Sequence, residues 1–155
     1  MTAAYQKRLT QALSSALIMM FGAGHALADD AASTTVPLTI TVTDVIETTV
    51  PLYISVQTKA DYRSMKGSGT ILKETSSGTL TETVQLPAAG DYAISIWHDL
   101  DNDGRFSMNE RYEILDGWGS SGVTEMAGGP TFSSSKITVP NFGAETSVAM
   151  VYPKT

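Results

Sequence analysis

The stretch Asp91–Asp99, DYAISIWHD, decides the fold of this chain. Its apolar side chains recur at every second position, so that Tyr92, Ile94 and Ile96 would share one face of an extended strand. The other face would carry Ala93, Ser95 and Trp97. A repeat of two is typical of a half-buried antiparallel strand.

The same alternation recurs along the rest of the chain. Further β-favouring runs lie at residues 37–45, 52–58, 80–86, 136–139 and 146–152. Glycine, proline and serine turn signals separate the runs, and no segment keeps the repeat of 3.6 residues that a helix requires. Six or seven short strands predict an all-β fold, a small antiparallel β-sandwich with one long acidic loop. Residues 100–135 are the least regular part, and a long ordered loop is usually functional.

The N-terminus has the pattern of a secretory signal peptide. Lys7 and Arg8 precede an apolar run, Ala12–Gly24, which ends at the small-x-small site 26–28. A membrane anchor is the alternative, but the run is shorter than the roughly 20 residues that span a bilayer. We therefore expect a signal peptide over residues 1–28, cleaved after Ala28, a disordered lead-in over 29–35 and a β-sandwich domain over 36–155. The protein would be periplasmic or secreted.

Composition narrows the classes of partner. Removal of residues 1–28 leaves eight basic and 16 acidic residues, a net charge of −8. An acidic protein of this kind is a poor ligand for nucleic acid, so we expect no nucleic-acid partner, and no membrane insertion once the signal is removed. The chain has no cysteine, which excludes disulfides, thiol nucleophiles and cysteine-based zinc sites.

An acidic loop directly follows the deciding strand. In the twelve residues from Asp99 to Glu110, side-chain oxygens recur at positions 1, 3, 5, 9 and 12, and Gly104 stands at position 6. This is the spacing of an EF-hand calcium loop. The ligands would be the carboxylates of Asp99, Asp101 and Asp103, the carbonyl of Arg105, Ser107 or a water, and a bidentate Glu110.

The surroundings of this loop differ from those of an EF-hand. A helix normally enters such a loop, whereas here the entering segment is a strand by pattern. We therefore expect a lone, structural calcium ion that neutralises four carboxylates and fixes the loop to the sandwich. The alternative is a solvated acidic turn that only reverses the chain.

The sequence supports a catalytic role less well than it supports metal binding. His98 is the single histidine after residue 28, and no activated nucleophile accompanies it. The chain is therefore predicted to be a non-enzymatic binding module. The alternative is a saccharide- or peptide-directed hydrolase or binding protein that uses a cleft near His98, Glu113 and Trp118.

The run Leu86–Asp99 also resembles the "LPaGtYAi-x-x-xHD" core of the DUF2141 family of uncharacterised bacterial exported proteins. The similarity extends to the segments 101–104, 113–121 and 129–132 and to Tyr152. It implies a small β-sandwich of an immunoglobulin-like or transthyretin-like type and no known activity. The family commonly has asparagines in the loop, whereas this chain has Asp101 and Asp103, and the additional charge favours a cation.

Overall fold

The computed structural model describes residues 35–46, 49–62, 64, 67–111, 113–123 and 129–154. Within these residues the elements are β1 (Val36–Val45), β2 (Leu52–Gln57), β3 (Ser68–Leu72), β4 (Gly78–Leu86), β5 (Gly90–His98), β6 (Gly117–Ser120), α1 (Phe132–Ser135), β7 (Lys136–Val139) and β8 (Ala144–Ala149). The predicted signal peptide and residues 29–34 of the lead-in lie outside the described residues. No helix in the described part of the chain is long and apolar enough to cross a membrane.

The strands form two sheets. One has three strands in the order β4-β1-β8, and the other has β3, β2 and β5 side by side, with β6 and β7 along the remaining edge of β5. The strand pairs are antiparallel except for β1 and β8, which run parallel. The predicted all-β sandwich is confirmed.

The core lies between the sheets, where the alternating apolar residues meet. Leu38, Ile40 and Val42 of β1 are fully buried. They belong to the same apolar cluster as Ile94 and Ile96 of β5. Burying a side chain of this size contributes about 1.5–3 kcal/mol to the stability of the fold. Burial of the whole cluster can therefore hold the fold together without disulfides. Even-numbered residues of β5 point into the core, and odd-numbered residues point outward.

Strand β6 has an unusual composition, GWGS, which the C-terminal segment explains. After β8 the chain leaves the three-stranded sheet, and Val151 pairs with Trp118 through two backbone hydrogen bonds of 2.9 and 2.7 Å. Side chains from this segment fill the inner face of β6, and a Cβ atom on Gly117 would overlap the ring of Tyr152. Glycine is therefore required on the inner face, and Trp118 points outward.

This topology fixes both ends of the acidic loop. The loop leaves the end of β5 after His98 and returns to the neighbouring β6 at Gly117. His98 and Gly117 are directly opposite each other in the sheet. The described loop residues, 99–111 and 113–116, therefore extend from one end of the five-stranded sheet.

Candidate metal centre

Three aspartates converge at the start of the loop. Asp99, Asp101 and Asp103 each offer a carboxylate oxygen, and these oxygens lie within 4.8 Å of one another. Asp99 is buried, with 1% of its surface exposed, whereas Asp101 and Asp103 are exposed. The structure thus brings together the residues predicted for positions 1, 3 and 5 of a calcium loop.

Backbone amides hold this arrangement. The two carboxylate oxygens of Asp99 accept hydrogen bonds from the amides of Asp103 (3.1 Å) and Gly104 (3.0 Å). Asp101 also accepts from the amide of Asp103 (3.2 Å), and Asp103 accepts from the amide of Arg105 (2.8 Å). Asn102 (φ 57°) and Gly104 (φ 74°) are left-handed, a conformation that asparagine and glycine tolerate best. The chain therefore curls around Asp99.

The surroundings of the cluster raise the pKa of Asp101. Its pKa is raised by partial loss of solvent and by the neighbouring carboxylates of Asp103, Asp116 and Asp99, while the amide of Asp103 opposes the shift. Mutual repulsion raises a carboxylate pKa because it disfavours the charged form. A cation placed among these oxygens would remove that penalty.

The remaining predicted ligands, Arg105, Ser107 and Glu110, are not buried as Asp99 is. Arg105 is exposed, and its carbonyl accepts a long hydrogen bond of 3.5 Å from the hydroxyl of Ser107. Glu110 is exposed and lies outside the carboxylate cluster.

A small hairpin explains the position of Glu110. Residues 107–111 and 113–115 form this hairpin, in which the amide of Leu115 donates to the carbonyl of Ser107 and the amide of Asn109 donates to the carbonyl of Glu113, both at 3.0 Å. The side chain of Asn109 closes the turn by accepting from the amides of Arg111 and Glu113. The turn therefore carries Glu110 away from Asp99.

Asp116 is the residue whose role the sequence did not reveal. It is 1% exposed and accepts three hydrogen bonds, from the amide of Leu100 (2.9 Å), the amide of Ser107 (2.9 Å) and the indole of Trp97 (3.0 Å). These donors lie at the start of the loop, in its middle and on β5. Asp116 therefore ties the acidic loop to the sheet. No local motif indicates this role, since its partners are 9 to 19 residues away.

His98 lies in the interior of the protein, where its side chain has a structural role. Its side chain is fully buried, and Nδ1 shares a hydrogen bond of 2.9 Å with the hydroxyl of Tyr152. Burial lowers the pKa of His98 below its usual value, and Asp116, Asp99 and the Val50 backbone oppose that shift only in part. The buried ring anchors the end of β5 through its hydrogen bond to Tyr152.

The other two residues of the predicted cleft lie elsewhere. Glu113 is exposed in the hairpin, where it accepts a hydrogen bond of 2.6 Å from the side chain of Asn109. Trp118 lines a groove on the outer face of the sheet, and neither His98 nor Glu113 is among the residues that line it. The groove that Trp118 lines therefore does not bring the three side chains together.

Comparison with known proteins agrees with the motifs quoted above. Residues 40–147, more than half of the chain, match the family described as "Uncharacterized protein conserved in bacteria (DUF2141)". No curated protein and no solved structure matches the chain. The match spans β1 to β8 and includes the aspartate cluster and Asp116. The chain belongs to the DUF2141 family.

Proposed function

We propose that this protein is an exported, non-enzymatic β-sandwich module that binds one structural calcium ion in the 99–110 loop. The observation that carries the proposal is the convergence of Asp99, Asp101 and Asp103 within 4.8 Å. These are the first, third and fifth positions of the EF-hand register, and calcium prefers carboxylate oxygens.

The ligand set follows from the loop. The three aspartates would supply carboxylate oxygens, with the Arg105 carbonyl, the Ser107 hydroxyl and water nearby to complete the six to eight oxygens that calcium takes. Glu110 would have to shift out of the hairpin turn to join them, so we expect it to contribute less than the aspartates. A site that depends on water for several ligands is weak, and we expect a Kd on the order of 10⁻⁴ to 10⁻³ M, as in extracellular modules.

The proposed role is stabilisation rather than switching. Hydrogen bonds from Asp103, Gly104 and Arg105 already curl the loop, and Asp116 already fixes it to the sheet. The ion would therefore neutralise carboxylates that repel one another, with little change in backbone shape. Its contribution is RT ln(1 + [Ca]/Kd), which is about 1.4 kcal/mol at tenfold excess over Kd.

Thermal unfolding of the purified protein tests this proposal. At 10 mM calcium we expect a melting temperature about 5 °C higher than in EDTA, because about 1.4 kcal/mol shifts a domain of this size by roughly that amount. Magnesium at the same concentration should produce a smaller shift, since it keeps its waters and requires octahedral geometry.

Two variants complete the test. The double variant Asp101→Ala with Asp103→Ala removes both side-chain ligands and should show no calcium-dependent shift. Glu145→Gln is the matched control, since it removes one exposed carboxylate on β8 and should keep the full shift. Equal melting temperatures in calcium and EDTA for the unmodified protein would refute the proposal.

A further inference from the structure

The outer face of the five-stranded sheet carries two rows of side chains in register. Tyr53, Trp97 and Trp118 lie opposite one another on β2, β5 and β6 and form an aromatic row. The rings of Tyr53 and Trp97 are stacked, with centroids 4.5 Å apart and planes within 13°. This row stands on the side of the sheet that faces away from the core.

A row of small residues runs beside the aromatic row. Ser55, Ser95 and Ser120 are paired across the same three strands, and Gly69 of β3 lies opposite Ser55. Because side chains on one face of a strand are two residues apart, the two rows are separated by about 6–7 Å. The small row therefore forms the floor of a groove, and the aromatic row forms one wall.

Loops complete the walls of this outer groove. Phe106 and Met108 of the acidic loop line it, as do Tyr62 and Pro130. Its volume is about 1040 Å³, at the upper end of the range for small-molecule sites. Phe106 and Met108 remain 39% and 48% exposed, so large apolar side chains border the groove without being covered.

The described lining of the groove carries no charged side chain, although the chain is acidic. None of its described lining residues is an aspartate, glutamate, lysine, arginine or histidine, in a chain of net charge −6. A charged ligand would lose hydration there and find no opposite charge among the described lining residues, which disfavours its binding. The hydroxyls of Ser55 and Ser95 can hydrogen bond to a neutral polar atom.

The stacking of Tyr53 on Trp97 reduces the aromatic surface that is open to a sugar. A sugar ring stacks on an open aromatic face, but Tyr53 and Trp97 each cover a face of the other. The wall that they form suits a ligand held by apolar contact. We propose that the outer groove binds a neutral small molecule with a largely apolar body, seated on the serine row.

A pair of fluorescent probes that differ in one charge tests this proposal. N-phenyl-1-naphthylamine is neutral, and 8-anilinonaphthalene-1-sulfonate has the same ring system with an added sulfonate. The neutral probe should bind at least tenfold more tightly. The chain has two tryptophans, and both line the groove. Energy transfer from tryptophan to the bound probe should therefore be strong. The titrations are made in EDTA, so that their result does not depend on calcium.

Variants locate the bound probe. Ser95→Phe fills the floor of the groove and should weaken binding of the neutral probe at least tenfold, and Ser55→Phe provides a second, independent obstruction. Thr81→Phe, at an exposed position of β4 in the other sheet, makes a comparable polar-to-aromatic change and should bind as the unmodified protein does. Circular dichroism confirms that each variant is folded.

Several results would overturn the proposal. The first is a failure of the neutral probe to bind. The second is binding that neither serine variant weakens, and the third is equal affinity for the anionic probe. Displacement of the neutral probe by millimolar maltohexaose would overturn the ligand class, because it would identify a saccharide site.

Discussion

Replacement of Asp116 by alanine is the sharpest perturbation of the loop. The carboxylate is 1% exposed and accepts from the amides of Leu100 and Ser107 and from the indole of Trp97. The alanine variant removes all three acceptor contacts together. The loop then loses its attachment to the sheet while the three-aspartate cluster keeps its own side chains.

The expected cost follows from the three donors. A buried donor left without a partner costs about 1–3 kcal/mol. Leu100 and Ser107 are only half-buried, so water can reach their amides, and the lower end of that range applies. Relief of repulsion between Asp116 and the carboxylate of Asp101 offsets a part of this cost. We expect a net loss of about 3 kcal/mol in the free energy of unfolding.

Urea unfolding followed by tryptophan emission measures this loss. Asp116→Asn should cost less than Asp116→Ala, since the amide retains one acceptor oxygen and the volume of the side chain. Glu145→Ala, at an exposed position of β8, should change stability by no more than about 0.5 kcal/mol. A loss below about 1 kcal/mol for Asp116→Ala would show that Asp116 does not hold the loop.

Two further predictions concern the sheets. Gly117→Ala should destabilise the protein by about 1–3 kcal/mol in urea unfolding, because the new methyl group would overlap Tyr152; a neutral effect would contradict the packing of β6. Lys136 and Thr138 hold the pKa of Asp91 below its usual 3.8. The unfolded chain therefore binds this proton first, and the stabilisation is lost as pH falls below 3.8. Asp91→Asn should flatten the melting-temperature profile in that acid range, and an unchanged profile would contradict the reasoning.

Sequence alternation predicted the strands that have a core-facing apolar row. Strands β1, β2, β4, β5 and β7 lie within a few residues of the predicted runs, since burial of one face imposes a repeat of two. The short strands β3 and β6 were not predicted. In β6 the inner positions are glycines, because the C-terminal segment occupies the space that side chains would fill. The residues that make glycine necessary in β6 therefore lie in another part of the chain, the C-terminal segment.

The acidic loop was predictable only over its first half. Local hydrogen bonds curl residues 99–105, so the spacing of three aspartates was enough to predict their convergence. The second half depends on a hairpin closed by Asn109 and on long-range bonds to Asp116. Neither follows from the EF-hand register, and this is why Glu110 lies apart from the cluster.

Calorimetric titration of the purified protein with calcium tests the central proposal most directly. We predict one ion per chain, a Kd on the order of 10⁻⁴ to 10⁻³ M, and loss of binding when Asp101 and Asp103 are both changed to alanine. No binding at millimolar calcium, or the same affinity in that double variant, would contradict it.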